Sequence, residues 1–178
     1  SVLLRKEFGL NKRIKSARLF VTGLGFYQVE INGKKAGEQV LSPSKTPYHK
    51  YILFDTYDVT NLLNQGNNAI GIHLGNGWYN PYKKWWKEYR MQWFGYKKAL
   101  AQLQVTFEDG EKEIVVTDES WKTEPGPVLY NCVYDGEIYD AIEEKTGWSK
   151  PGFNDSEWEL AVLMKTPKAK LIAQQMPH

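Results

Sequence analysis

The stretch ARLFVTGLGFYQVEINGKKAGEQVL, residues 17–41, decides the fold. ARLFVTG (17–23) and FYQVEIN (26–32) alternate apolar and polar side chains and are rich in β-branched and aromatic residues, the pattern of half-buried strands. Asn32-Gly33 follows at once. Both residue types tolerate positive φ, so the pair is the strongest short signal for a two-residue hairpin turn. Lys34 to Leu41 is then expected to be the return strand.

Working outward, the same signals recur. VLLRKEF opens the chain with strand character, and YILFDTYDV (51–59) fits another strand, with Ile52, Phe54, Thr56 and Asp58 on one face. In DVTNLLNQGNNAI, Thr60 is expected to cap a single helical turn carrying Leu62 and Leu63. Gly66 ends it, and Ala69 to Leu74 returns to strand. ALAQLQVTF (99–107) places Ala99, Ala101, Leu103, Val105 and Phe107 on one face, and Asp109-Gly110 turns it into KEIVVT (112–117). VLYNCVY (128–134), Asp135-Gly136 and EIYDAIE (137–143) make a third hairpin. In GFNDSEWELA, Asp155 and Ser156 are expected to fix a turn and Trp158 to plug a sandwich edge, before a last short strand at Leu160 to Met164. No long amphipathic helix appears. Many short strands joined by tight turns predict an all-β domain, an antiparallel jelly-roll β-sandwich spanning 1–166, with 167–178 as a tail.

Composition narrows the function. The formal net charge of +2 on 178 residues is too small to make nucleic acid the expected partner. Cys132 is the only cysteine, so no internal disulfide forms, and it reads as a small strand residue. No apolar run approaches the roughly 20 residues of a membrane span. No signal-peptide pattern heads the chain. Ser1 leads directly into a strand and QQMPH carries no terminal signal, so the chain is expected to be a piece of something longer. His49, His73 and His178 show no ligand spacing, and there is no Ser-His-Asp order or phosphate loop.

One segment resists the strand pattern. WYNPYKKWWKEYRMQWFGY (78–96) is about half aromatic, against 14% for the chain, with Lys83, Lys84, Lys87 and Arg90 interleaved. It has neither a period of 2 nor one of 3.6. Such a loop suits a ligand with apolar faces and polar edges. A sugar ring could stack on one indole among Trp85, Trp86 and Trp93 while Asn80, Lys or Arg side chains bond its hydroxyls, and Trp78 and Tyr79 join the candidate set. The same rings could instead pack against another domain or under their own loop. Glu137 and Tyr139 share a strand face and join the candidate ligand-binding set. Asp135, Glu137, Asp140, Glu143 and Glu144 raise the question of a glycosidase carboxylate pair, but a mixed structural and ligand-lining role suits their strand-and-turn setting better.

Several blocks in order carry a resemblance: VTGLGFYQVEINGKKAGEQVLSP, DVTNLL with GNGWYNP, ESWKTEPGPV, and YDGEIYDAIEE with GWSKPGFNDSEW. Together they resemble the N-terminal domain of bacterial α-L-rhamnosidases of glycoside hydrolase family 78, from about Ala17 to Gln175. The resemblance implies a galactose-binding-like sandwich and a non-catalytic accessory domain that binds or helps position rhamnose-containing glycans. The alternative is a purely structural domain that docks on the catalytic barrel. Hydrolysis in that family belongs to a separate α-helical barrel with paired acids, so no catalytic residue is expected here. LIAQQMP is similar to the start of a link into the next domain, and the whole enzyme is expected to be periplasmic or secreted. The domain is also similar to carbohydrate-binding modules of family 67, which hold L-rhamnose with the help of calcium. That similarity makes Glu38 and Gln39 the candidate calcium ligands, standing where a shorter Asp-Asn pair belongs in the family.

Overall fold

The computed structural model describes residues 1–81 and 94–175. In chain order the strands are β1 (Val2–Leu10), β2 (Ile14–Leu24), β3 (Tyr27–Ile31), β4 (Lys34–Lys35), β5 (Tyr51–Asp58), β6 (Gly66–Leu74), β7 (Lys98–Phe107), β8 (Lys112–Val116), β9 (Lys122–Pro125), β10 (Val128–Cys132), β11 (Gly136–Tyr139), β12 (Glu159–Leu160) and β13 (Lys170–Ala173). They form a six-stranded sheet in the order β12-β9-β1-β6-β3-β4, a five-stranded sheet in the order β13-β5-β2-β7-β8, and a separate β10-β11 hairpin. The two large sheets face each other as a β-sandwich.

Alternation along the strands builds the core. Val29, Ile31, Ile70 and Ile72 from the six-stranded sheet meet Leu19, Val21, Leu103 and Val105 from the five-stranded sheet, each 1% exposed or less. Burying an aliphatic side chain of this size stabilises the fold by about 1.5–3 kcal/mol. Trp121 closes one side of this layer, 2% exposed, with its indole N–H donating to the Val116 carbonyl at 2.9 Å. The expected face of β7 is the buried one: Ala101, Leu103, Val105 and Phe107 all point inward.

The turns follow their residues. Asn32 and Gly33 both take positive φ, 54° and 78°, and Ile31 pairs with Lys34 across the two-residue turn. The return strand is much shorter than the expected 34–41. After Lys35 the chain leaves the sheet at Gly37 (φ 78°), and residues beyond it form a loop over the start of β3. The turn after β5 is a 3₁₀ turn, Thr60–Leu62, and its cap differs from expectation. Asp58 Oδ1 accepts from the Thr60 N–H at 3.0 Å and the Thr60 hydroxyl at 2.6 Å, while Thr60 Oγ1 accepts from the Ala17 N–H at 2.9 Å. Thr60 therefore ties the turn to β2 instead of capping it. The strand expected at Leu160 to Met164 is only Glu159–Leu160; Ala161 to Lys168 runs without strand pairing until a further strand, β13, which pairs parallel with β5 at Lys170–Tyr51 through Ala173–Phe54.

A buried ion cluster welds the 145–158 loop to β1. The Arg5 side chain is fully buried. Its Nε donates to the Trp148 carbonyl at 2.8 Å, its Nη2 reaches Glu7 Oε1 at 2.5 Å and the Lys150 carbonyl at 3.1 Å, and its Nη1 pairs with Asp155. Lys122 also reaches Asp155 Oδ1, at 2.7 Å. The expected turn at 155–156 is fixed by Asn154, whose Oδ1 accepts from the Ser156 N–H at 3.2 Å; Asp155 is committed to the ion cluster. Trp158 is buried as expected and stacks on Trp148 at 6.4 Å.

Candidate functional site

Where β3 begins and β6 ends, the backbone is drawn in tightly. Gly25 takes φ 135°, and a Cβ there would stand 2.1 Å from the Gly75 carbonyl oxygen. Gly77 takes φ 54°, and a Cβ there would stand 2.7 Å from the Phe26 nitrogen. Only glycine allows both approaches. The two glycine turns bring Phe26, Tyr27 and Gln28 beside Gly75, Gly77 and Trp78.

Three further segments wall in this spot. Residues 39–45 cross the start of β3, held by the Tyr27 N–H donating to the Ser42 carbonyl at 2.9 Å. The β10-β11 hairpin is tied to the 75–78 turn through Asn131. Its Oδ1 accepts from the Asn76 N–H at 2.6 Å, and its backbone carbonyl accepts from Asn76 Nδ2 at 3.0 Å. Ser1 and the end of β6 at His73 complete the wall. The result is an open cleft of about 880 Å³, lined by Gln28, Gln39, Leu41, Lys45, His73, Trp78, Asn131 and Glu137 among others.

The floor is rigid. The Tyr27 hydroxyl donates to Asp55 Oδ2 at 2.6 Å and lies 3.2 Å from the Tyr57 hydroxyl. Burial, reinforced by Asp55, raises the Tyr27 phenol far above its ordinary range, so it stays protonated. Burial also holds the His73 imidazole below its ordinary value. Its ring thus offers a neutral donor and acceptor. Gln39 lines the cleft, while its Oε1 is turned into the protein beside Gly37, buried and without a hydrogen-bond partner.

The predicted residues divide. Trp78 is half-buried and lines the cleft, with Tyr134 edge-on at 5.7 Å and the Lys45 ammonium 4.6 Å from its ring centroid. Glu137 lines it as well. Tyr79 does not: it is 5% exposed and belongs to a second apolar cluster with Leu24, Tyr48 and Ile52, edge-on to Tyr48 at 5.1 Å and stacked on Phe94 at 5.9 Å. Both rings leave a turn at 77–79, and the apolar cluster, against which Trp78 also packs, takes the Tyr79 ring fully inside. Asn80 lies outside the lining, with its N–H on the Asn76 carbonyl at 3.2 Å. Tyr139 is also outside it, and its hydroxyl donates to Glu144. Trp85, Trp86 and Trp93, with Lys83, Lys84, Lys87 and Arg90, lie outside the described residues.

The local carboxylates are mostly committed. Asp135 accepts from the Tyr130 hydroxyl at 2.7 Å, Asp140 Oδ1 accepts from the Ile142 N–H at 3.0 Å, and Glu143 faces Lys145 at 3.5 Å. Of these five only Glu137 lines the cleft, so they do not face one another across it. For calcium, Gln39 faces the cleft but Glu38 is exposed outside its lining. Among the described residues no group of three or more His, Cys, Asp and Glu side chains comes together. Of the two candidates only Gln39 lines the cleft, and one amide falls short of the six to eight oxygens that calcium takes, so the Glu38–Gln39 pair does not by itself fit that ion.

Lys45, His73 and Asn131 were not singled out by the sequence as site residues. Lys45 sits in a loop without periodicity, His73 on an ordinary strand, and Asn131 inside a hairpin. None carries a local signal.

Comparison with known proteins gives a consistent result. The family model described as the alpha-L-rhamnosidase N-terminal domain matches residues 12–178. An alpha-L-rhamnosidase of Formosa agariphila is 40% identical over 159 residues, 88% of this chain and 17% of its own. The structure of alpha-L-rhamnosidase from Dictyoglumus thermophilum superposes with a TM-score of 0.89 at 43% identity, covering 99% of this chain and 19% of that one. Streptomyces avermitilis alpha-L-rhamnosidase, solved in complex with L-rhamnose, superposes with a TM-score of 0.91 at 33% identity, covering 98% and 17%. The chain thus spans less than a fifth of the length of each of these relatives.

Proposed function

Since the chain belongs to the alpha-L-rhamnosidase N-terminal domain family, we propose that it is a non-catalytic accessory domain that binds or helps position rhamnose-containing glycans. The cleft beneath Trp78 carries this proposal. It joins a half-buried indole, the Gln39 side chain, neutral His73 and the Glu137 carboxylate in one concave site. An apolar wall with a few fixed polar groups is how a small sugar is held. The C–H face of a pyranose packs on the indole, and its hydroxyls bond the acceptors. On this reading the domain raises the local concentration of substrate for a catalytic domain in the same polypeptide. The parent enzyme would work in the periplasm or outside the cell, where such glycans are met, and residues 167–178 would lead toward its next domain.

Titration of the chain with L-rhamnose, followed by calorimetry and amide chemical shifts, tests the binding. Shifts clustered on Gln28, His73 and Glu137 support it. Silence in both measurements at millimolar sugar overturns it. Repeating the titration with calcium should leave the affinity unchanged.

A second reading has one observation in its favour. Leu160, Val162, Leu163 and Met164 are 62%, 82%, 63% and 42% exposed in one short extended run. Contiguous exposed apolar side chains mark an interaction surface. On this reading the domain docks on the rest of the enzyme and holds no sugar. Amide exchange through 160–164 that slows only in the full-length enzyme would support docking, and equal exchange in both forms would count against it.

A further inference from the structure

Two charged side chains line the cleft, Lys45 and Glu137, and among the described residues neither has an ion-pair partner within 4.0 Å. Their situations differ. The Lys45 ammonium stands 4.6 Å from the centroid of the Trp78 ring, on the same indole that forms the apolar wall. An aromatic face attracts an ammonium through its quadrupole, but it carries no net charge and leaves the cation unneutralised. It also accepts no conventional hydrogen bonds, so the ammonium's three N–H donors remain available. The indole therefore holds a cation at the mouth of the sugar site without satisfying it. Glu137 is acceptor-only when ionised, and suits sugar hydroxyls.

From this we infer that the cleft selects acidic glycans: a uronic acid carboxylate pairs with Lys45, while the sugar joined to it packs beside Trp78 and donates hydroxyls toward Glu137. The inference rests on the glycan-binding reading above and names the class of glycan. A neutral sugar meets the indole with the ammonium already beside it and gains nothing from the charge. A carboxylate placed at the rim converts the cation–π contact into a charge-assisted pair, with the ring still flanking the ammonium. Within the Debye length of the cleft mouth, the same charge also speeds the approach of an anionic chain.

The test compares three probes on the full 178-residue chain. These are L-rhamnose, a disaccharide of L-rhamnose and a hexuronic acid, and the methyl ester of that disaccharide, which differs only in charge. The expected result is that the acid binds about three- to tenfold more tightly than its ester at low salt, the range of a partly exposed charge-assisted pair. That ratio should shrink in 0.5 M salt and fall to about one in Lys45→Met, which keeps the side-chain stem. Glu137→Gln should widen it. Acid and ester binding equally, with L-rhamnose still bound, overturns the role of Lys45 and leaves the glycan-binding reading standing. A preference that survives Lys45→Met also overturns it. If none of the three probes binds, the glycan-binding reading fails, and this inference with it. The acid-to-ester ratio in the unmodified chain is independent of how well any variant folds.

Discussion

Asn131 holds Asn76 from two sides: its side-chain oxygen accepts from the Asn76 backbone N–H at 2.6 Å, and its backbone carbonyl accepts from the Asn76 amide at 3.0 Å. Asn76 is 6% exposed, so neither donor has ready access to water. This pair joins the β10-β11 hairpin, which pairs with neither large sheet, to the turn that presents Trp78. Glu137 and Trp78 share a cleft because of it.

Asn131→Ala should therefore cost about 1–3 kcal/mol, the penalty for leaving a buried N–H without an acceptor. Urea unfolding checks the stability. Amide exchange checks the location, with faster exchange in the hairpin and in residues 75–78 while the sandwich strands stay protected. Ligand affinity in the cleft should fall with it.

Gly25→Ala should destabilise the chain by about 1–3 kcal/mol, since φ 135° is strained for any side chain and the added methyl meets the Gly75 oxygen. The variant should also displace Trp78, read as a change in tryptophan emission. Gly110→Ala is the control: it too has positive φ, 85°, but open space around it, so it loses stability without moving the cleft.

His73 gives the domain a pH dependence. Burial lowers its folded-state value beneath the unfolded value of about 6.5. The unfolded chain then binds more protons in the interval between the two, so stability rises with pH there. The His73 contribution is complete above about pH 6.5 and is lost as pH falls through the folded value. Chemical denaturation midpoints between pH 8 and pH 5 should drop for the parent chain and flatten for His73→Gln.

Asp155→Ala should cost about 2–4 kcal/mol, because removing one partner leaves Arg5 buried and only partly compensated by Glu7. Loss should concentrate in the 145–158 loop, and thermal unfolding with proteolysis at that loop would read it. Arg5→Met, which removes the buried charge altogether, is expected to be the milder substitution.

The sandwich was legible in the sequence because its signals are local. Alternation along 99–107 and 17–23 set which side chains face inward, and Asn32-Gly33 set a turn through backbone freedom alone. Trp78 and Glu137, candidates from an aperiodic aromatic loop and from strand alternation, both line the cleft. Tyr79 lies away from the cleft, and the sequence could not say so, because a ring's chemistry is the same whether it faces a cleft or an apolar cluster; Tyr48 and Phe94, 31 residues back and 15 on, with Leu24 and Ile52, tip it inward.

The sequence by itself determined a β-sandwich, its hairpins and its family resemblance, through φ preferences and a side-chain period that depend on near neighbours. The tertiary structure alone decided that Gln39, Lys45, His73, Trp78, Asn131 and Glu137 line one cleft. It also decided that Arg5 is buried against Asp155 and that β13 pairs with β5. Those contacts span up to 150 residues of chain. They are set by how the sheets pack and where two glycine turns let backbones approach, and no short window of sequence records that distance.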